Sequence, residues 1–588
     1  MALSTKEKLT ELRELMRSKK ISAAVIPSSD PHMSEYLPSH WHAREWFSGF
    51  TGSAGTLVVT LDKAGLWTDS RYFIQANTEL KDSGIDLYKE GLKETPSIPA
   101  FLNQSISKNE VVSIYGEITS IATLANWEKQ LTHITINTKE DFISPVWTNR
   151  PELPQTEAYI YDLKFAGESA ESKIKRIRES IVEGQTLLVS ALDEIAWTLN
   201  IRGEEIQNNP VVISYLLINK TNATLFIDSK KVSAELQNYF KSNHILIKEY
   251  HEIFDELALS KDKILLDPKT ANVKLQESIS DVAKIILHAS PIPLFKALRN
   301  KTEINSLRSA MLKDGVALVK FLIWLEEHID SAKITEIDIS NKLYELRSAQ
   351  ALFKGESFDT IAGYKEHGAI VHYKASPTTN TTLKPKGFLL VDSGAQYLDG
   401  TTDITRTIAL GKLSDEEKID YTAVLKGHIN LAKAIFPQGT RGSQLDILAR
   451  LPLWEMKKNF LHGTGHGVGQ FLCVHEGPQS IRMNENAVTM EIGMLTSNEP
   501  GIYIEGSHGI RIENLMLVEN AGEGLLSDYY KFETVTLCPI CTKGVLKDKL
   551  SEEEISWLNM YHQNVYINLA PYLNEKEQRW LKQATIKI

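Results

Sequence analysis

The residues best equipped for chemistry lie in the C-terminal half, and the first of them stand in the run FLHGTGHGVGQ (Phe460–Gln470). His462 and His466 are four apart, the spacing that lets an H-E-x-x-H helix bind one zinc ion. Here, however, Gly463, Gly465, Gly467 and Gly469 fill the alternate positions. Each glycine inside a helix costs about 1 kcal/mol relative to alanine, so four would cost roughly 3–4 kcal/mol and a helix is excluded. As a strand, the run puts His462, Thr464, His466 and Val468 on one face, while the glycines let another backbone approach the other. Four extended residues span roughly 13 Å, against a metal–imidazole bond of about 2 Å. The two histidines therefore cannot share an ion: one can be a ligand and the other serves elsewhere in the site.

Acidic residues nearby sit where apolar strands should run. Asp392 follows FLLV, and Asp403 lies in TTDITRT. A carboxylate in a strand made for burial must be paired or ligate something. The Asp399-Gly400 pair signals a turn between the two. A loop there sets Asp403 opposite Gln396, whereas a loop centred on Tyr397-Leu398 sets it opposite Asp392. Either register keeps Asp392 and Asp403 on one face, but only the second, or a bulge, brings both to one ion. Glu499 in TSNEPG and Glu513 in RIENL are equidistant from Gly506 in the turn EGSHG, and so face each other across a second hairpin whose first strand must end or bend at Pro500. Singly, each acid reads as a turn cap or a solvated edge residue. Together, four carboxylates converging from two hairpins repel strongly unless cations hold them, and two divalent ions would cancel their charge. His372 in AIVHYKA and His475 in CVHEGP occupy similar short β-like contexts; singly, each reads as an ordinary hydrogen-bonded histidine.

The elements that must position these residues follow from the hydrophobic pattern. Before the acidic strands come two helical stretches, Glu303–Glu327 and Thr335–Gln350, with apolar residues at helical spacing such as Leu307, Met311, Val316, Leu318 and Leu322. Strand-like runs GFLLVDSGAQY, TTDITRTIALG, GMLTSNEPGIYIE and HGIRIENLMLVE follow, with a helix over Ser414–Phe436 among them and two closing helices after Lys549. Proline-marked junctions at Ser144–Gln155 and Ala289–Glu303 cut the 588-residue chain near 1–150, 151–295 and 296–588. The first two pieces repeat one order of β-rich runs and helices, each with a hairpin closing on a like tetrad (Thr68-Asp69-Ser70-Arg71 and Ile227-Asp228-Ser229-Lys230), which predicts two α/β domains from a duplication.

Composition narrows the class. Hydrophobic residues at 42% and charged residues at 24% are ordinary for a globular chain, so disorder and fibrous folds are excluded. The net charge of −10 carries no Lys/Arg block, which argues against a nucleic-acid surface. No apolar run approaches the ~18 residues of a membrane span. The N-terminal pattern MALSTKEKLTELRELMRSKK is an amphipathic helix without the apolar core of a secretory signal, and its glutamates fit poorly with a transit peptide. Three cysteines, Cys473, Cys538 and Cys541, are too few for a disulfide framework, which predicts a reducing compartment. Cys538 and Cys541 form a lone C-x-x-C, which reads as two cysteines near a strand end rather than a zinc or redox site.

The motifs VDSGAQYLDGTTDITRT, HGTGHGVG, VHEGP, SNEPG and GIRIEN, in this order and spacing, resemble the pita-bread metallopeptidases. With SSDPHMSEYLP, FTGSAGT, WTDSRYFIQA, LDEIAWTLNIRG and PVVISYLLI, the resemblance covers nearly all of the chain and is to the long, three-domain cytosolic Xaa-Pro aminopeptidases. It implies an α/β (α+β) fold of two creatinase-type N-terminal domains followed by a pita-bread catalytic domain with a C-terminal helical extension. It implies that Asp392, Asp403, His466, Glu499 and Glu513 hold two metal ions, with His466 the single histidine ligand. Oxygen-dominated ligation suits manganese, with zinc or cobalt as substitutes. A water bridging the ions would attack the scissile carbonyl as hydroxide after Glu499 takes its proton. By the same resemblance His372 and His475 bind substrate and steady the tetrahedral intermediate, and His462 lines the pocket for the proline ring. Arg511 supports the carboxylates or the substrate, and Arg71 resembles an N-domain arginine that reaches the peptide, across the interface where a homodimer forms. The partners are then peptides with proline second, in the cytoplasm, without nucleic acid or membrane. The Cys538/Cys541 pair departs from the family pattern and lies beyond the ligand set. A prolidase confined to dipeptides, and a catalytically silent peptide- or histone-binding relative, are the alternatives.

Overall fold

Runs such as AAVIP, TLVVT and AGLWT place apolar residues at consecutive rather than alternate positions because each becomes a strand buried on both faces. The computed structural model describes residues 3–331 and 333–588. In its first sheet, β1 (Ala23–Pro27), β2 (Thr56–Thr60), β3 (Ala64–Thr68), β4 (Asp86–Lys89), β5 (Val111–Ile114) and β6 (Thr135–Asn137) lie in the order β4-β3-β2-β1-β5-β6. A second sheet of β7 (Gln185–Val189), β8 (Tyr215–Asn219), β9 (Ala223–Phe226), β10 (Ile245–Lys248), β11 (Lys263–Leu266) and β12 (Lys284–Leu287) runs β10-β9-β8-β7-β11-β12. Every corresponding pair has the same sense: two antiparallel pairings at the centre, parallel pairings outside them. The tetrads of the sequence repeat follow the equivalent strands β3 and β9.

Compactness divides the chain into two units, Met1–Leu163 with Glu168–Ile292, and Lys164–Gly167 with Pro293–Ile588. Both of these sheets belong to the first. In the second, β13 (Phe353–Tyr364) pairs with β14 (Phe388–Tyr397), which also pairs with β15 (Gly400–Thr401) and β16 (Ile404–Ala409). The other sheet orders β17 (Ile435–Pro437), β24 (Asp528–Thr534), β23 (Asn514–Glu523), β20 (Leu495–Asn498), β18 (Gly465–Gly467) and β19 (Glu476–Ile481). A two-stranded hairpin, β21 (Gly501–Ile504) and β22 (His508–Arg511), extends from it.

Helices cover these sheets: α1 (Lys301–His328), α2 (Glu336–Ser348), α3 (Asp415–Ala432), α4 (Gly442–Trp454), α5 (Glu552–Leu569) and α6 (Glu575–Ala584). The 28-residue α1 starts at a capping box in which Asn300 and Glu303 satisfy each other's backbone N–H. Its Val316 and Val319 share a core with Tyr421, Val424 and Leu425 of α3 and with Leu558, Val565 and Leu581 of α5 and α6.

Two sequence expectations are corrected, and one helix is added to them. The His/Gly run is β-strand only over Gly465–Gly467, although the Thr464 backbone already pairs on both sides, its N–H to Ile481 and its carbonyl from the N–H of Glu499. Helix α4 lay unread because Gly442 opens it and Pro452 sits inside it, both helix-breaking signals. The junction Ala289–Glu303 is no bare linker: it contains a short helix, Ile292–Ala297, and buries Lys296 and Arg299.

Candidate metal centre

Each acidic residue enters the site where a regular ladder is interrupted. Strand β14 meets β15 and β16 in one continuous register, Tyr397↔Gly400, Gln396↔Thr401, Ser393↔Ile404 and Asp392↔Thr405. The turn is Leu398-Asp399, so by this count Asp403 falls opposite Gly394, and neither register weighed from the sequence is realised. Asp392 and Asp403 nonetheless share a face, because positions 392 and 394 have the same parity. Thr402 and Asp403 step out of the strand pattern, and Thr402 approaches so closely that a Cβ on Gly394 would lie 2.1 Å from both its carbonyl oxygen and Ser357 Oγ. Gly394 is thus what lets Asp403 swing toward Asp392.

The second hairpin keeps the register that symmetry about Gly506 predicted, from Asn498↔Asn514 in β20–β23 to Gly501↔Arg511 in β21–β22. Glu499 and Glu513 occupy the gap between these ladders, which opens because Pro500 has no N–H to donate. Their own N–H groups turn elsewhere, to Thr464 O at 2.8 Å and Thr405 O at 3.1 Å.

His466 arrives on β18, squeezed between β19 and β20. A Cβ on Gly465 would lie 2.1 Å from Ser497 O, and one on Gly467 2.6 Å from Glu476 O, which is why glycines flank the histidine. Its Nδ1 lies 2.9 Å from Gly467 O. A carbonyl only accepts, so Nδ1 carries the proton and Nε2 presents its lone pair inward. Nε2 lies 3.3 Å from Glu499 Oε1 and 3.5 Å from Asp403 Oδ2.

Three overlapping groups have ligand-capable atoms mutually within 4.8 Å: Asp392, Asp403 and Glu513; His466, Glu499 and Glu513; Asp403, His466 and His475. The five residues expected to ligate are therefore brought together, and His475 joins them. Overlapping groups that share Asp403, Glu513 and His466 suit two adjacent ions rather than one. The donor chemistry also fits. Asp392 Oδ1 and Glu513 Oε1 are buried oxygens with no hydrogen-bond partner among the described residues, a costly condition unless a cation meets them. Electrostatics agree: burial, then Asp392 and Glu499, push Asp403 well above the usual carboxylate range. Burial, then Asp403, Glu499 and Asp392, do the same to Glu513. Glu499 is pushed up to about 7, mainly by burial, with Arg511 opposing and Asp392 adding.

The remaining residues surround this centre unevenly. Arg511 is 1% exposed and spends its guanidinium on four partners: Asp392 Oδ2 at 2.6 Å, Tyr503 Oη at 2.6 Å, Thr405 Oγ1 at 3.1 Å and Val371 O at 3.2 Å. The last contact ties the segment before His372 to the site, and Tyr373 after it donates to the buried Glu336 at 2.9 Å. His462 lies outside the strand; its Nε2 meets Tyr503 Oη at 2.8 Å, and Arg450 of α4 donates to its carbonyl at 2.9 Å. His475 packs edge-on against His466 at 4.4 Å between ring centroids. Its neighbour Glu476 forms a buried ion pair with Lys296 at 2.8 Å. Arg71 belongs to the other unit, where it forms a bidentate pair with Asp69. The three cysteines are free thiols, with Cys473 and Cys538 buried.

Sequence reasoning missed Tyr503, Thr405 and Lys296. Tyr503 was recoverable from the hairpin register: it opposes Gly509, and so shares a face with Arg511 two residues on. Thr405 opposes Asp392, and its hydroxyl donates to Glu513 Oε2 at 2.7 Å. Lys296 and Glu476 are 180 positions apart, and no local pattern links them.

Among known families, the metallopeptidase family M24 profile matches residues 305–520, and the C-terminal region of that peptidase family matches 528–588. Creatinase/prolidase N-terminal domains match 8–142 and 149–303. Aminopeptidase P1 of Arabidopsis thaliana is 37% identical over 98% of this chain and 99% of its own. A probable Xaa-Pro aminopeptidase P of Laccaria bicolor is 39% identical over 99% and 93%. The crystal structure of an X-prolyl aminopeptidase from Caenorhabditis elegans, described as a cytosolic enzyme with a di-nuclear active site, superposes with a TM-score of 0.96 at 33% identity, covering 100% of both chains. Among the described residues no helix is long and apolar enough to cross a membrane.

Proposed function

The chain belongs to metallopeptidase family M24, among its aminopeptidase P members, and from that premise we propose that it is a metal-dependent aminopeptidase releasing the first residue of peptides whose second residue is proline. The observation that carries this reading is the convergence of four carboxylates and His466 on one pair of overlapping ligand groups. Asp392, Asp403, His466, Glu499 and Glu513 would hold two divalent ions. An oxygen-rich donor set favours Mn²⁺, with Zn²⁺ or Co²⁺ as substitutes. When bound, such ions polarise a carbonyl and acidify water.

The chain's own residues do the rest. Glu499 accepts the proton of the attacking water at its carboxylate, while Ser497 Oγ donates to Oε1 at 3.2 Å and fixes its orientation. His475 and His372 donate toward the substrate carbonyl and the charge that develops there. Arg511 holds Asp392 and Tyr503 together, so the wall formed by His462 and Tyr503 keeps its distance from the carboxylates. That wall supports the expected proline pocket: an X-Pro imide has no N–H and carries a ring, so its site must be shaped for the ring and for the trans isomer. Arg71 contributes to peptide binding in this reading. The proposal extends to domains at 1–150, 151–295 and 296–588, and to a cytoplasmic homodimer, which light scattering would read as twice the chain mass.

Cleavage of X-Pro-Y-Z peptides against X-Pro dipeptides tests the assignment. Tetrapeptides are expected to be cut at least as readily, and strict dipeptide use would make the protein a prolidase. Asp403→Ala should abolish Mn²⁺-dependent turnover with the circular dichroism spectrum retained; unchanged turnover would falsify the ligand assignment.

A further inference from the structure

Glu499 and Glu513 lie in the gap between the β20–β23 and β21–β22 ladders, and their own N–H groups pair outside that hairpin, with Thr464 and Thr405, so their spacing across it depends on other contacts. The fully buried His428 of α3 reaches both sides of that gap. Its Nδ1 is 3.1 Å from Asn498 O, the carbonyl of the peptide that leads into Glu499. Its Nε2 is 3.0 Å from Nδ2 of Asn514, the residue after Glu513. Asn498 answers by donating from Nδ2 to the His428 carbonyl at 2.9 Å.

The direction of each bond is fixed by its neighbours. Arg406 can only donate, and its Nη2 lies 2.8 Å from Asn514 Oδ1. Asn514 must therefore present its NH₂ to His428, whose Nε2 must accept. Nδ1 then carries the single proton and gives it to Asn498 O. The result is one donor chain, Arg406 to Asn514 to His428 to Asn498, in which only neutral, Nδ1-protonated imidazole fits. Burial, then the Arg406 charge, push the His428 value down to about 3, consistent with that neutral form. Arg406 completes the frame by donating to Glu513 O at 2.7 Å.

We propose that His428 is a positioning residue that sets the separation and aim of the Glu499 and Glu513 carboxylates, and through them the affinity for divalent ions. This rests on the ligand reading above. The test is calorimetric titration of MnCl₂ into the EDTA-stripped full-length protein, beside thermal melting of the metal-free form. His428→Phe should weaken Mn²⁺ binding by about 10–100-fold, the usual effect of removing a group that orients metal ligands. His428→Gln keeps an acceptor toward Asn514 and should lose less than the Phe variant. Ile429→Ala, an equally buried neighbour in the core of the same helix, should lower the melting temperature while leaving affinity unchanged.

Affinity of the Phe variant within about twofold of wild type overturns the proposal, as does an Ile429→Ala variant weakened to the same degree. Should His428→Phe not fold, the Gln variant decides: lowered affinity with Ile429→Ala unaffected supports the proposal, and unchanged affinity overturns it. A wild-type protein that takes up no Mn²⁺ overturns the ligand reading itself, a different result from a wild type that binds and a variant that binds equally.

Discussion

Thr405 shows how far a single hydroxyl can reach in this site. It donates to Glu513 Oε2 at 2.7 Å and accepts from Arg511 Nε at 3.1 Å, so it stands between one expected ligand and the cation that braces another. Thr405→Val keeps the shape and removes both bonds, leaving a buried carboxylate short of a donor at a cost of about 1–3 kcal/mol. Mn²⁺ affinity should fall about tenfold or more in calorimetry; an unchanged value would mean that Glu513 is aimed by its backbone alone. Titration gives a second expectation. Glu499 moves from 4.5 to about 7 in the metal-free fold, and Asp403 and Glu513 move up as well. Above pH 4.5 the unfolded chain has released protons that the folded carboxylates still bind, so stability falls as pH rises through about 7. Melting temperatures of EDTA-stripped protein should therefore drop between about pH 5 and 8, whereas Mn²⁺-loaded protein, with those protons displaced by cations, should not follow. A stripped protein that gains stability over this interval would contradict the raised values.

At the scale of elements, the two hairpins were unequally legible, and the reason is physical. The Glu499/Glu513 hairpin turns symmetrically about Gly506, and Pro500 announces the break, so register and gap could both be read from residue types. The Asp392/Asp403 hairpin hides its geometry in a departure from the ladder at Thr402-Asp403. Asp399-Gly400 advertised a turn, but the turn sits one residue earlier and Gly400 is in the strand. The residue that makes the departure workable, Gly394, looks from sequence like any glycine in a strand. Gly394→Ala should show its weight: a methyl 2.1 Å from Thr402 O and Ser357 Oγ cannot be accommodated without shifting backbone. We expect a loss of at least about 1–3 kcal/mol in urea unfolding, as for other overpacked sites, together with weaker Mn²⁺ binding as Asp403 is pushed off its position. Normal stability and affinity would show that the strand relaxes freely there. Helix α4 escaped reading for a related reason, since Pro452 is tolerated where the surrounding packing, including the buried Asp446–Arg450 pair, holds the helix together.

For the whole molecule, the likeness of the first two domains was legible because each repeats one order of β-rich runs and helices, and the two sheets share their full strand order and sense. What sequence does not show is the path of the chain between compact units. Residues Lys164–Gly167 belong with Pro293–Ile588, although more than a hundred residues of the other unit lie between them. The tie is Asn300, the N-cap of α1: its Oδ1 accepts from Glu303 N at 3.0 Å, while its Nδ2 donates to Ala166 O at 2.8 Å. One side chain thus starts the longest helix of the catalytic unit and pins the returning strap, and Gly167, left-handed at φ +68°, has no Cβ to fall 2.4 Å from the Asn300 Oδ1. Asn300→Ala removes both bonds at once. Loss of an N-cap costs about 0.5–2 kcal/mol by itself, and the strap bond adds about 0.5–1.5 kcal/mol. Asn300→Asp keeps the cap and removes only the strap donor. If the strap is part of the unit's stability, urea midpoints should rank wild type above Asn300→Asp above Asn300→Ala; an Asp variant equal to wild type would assign the whole effect to the cap.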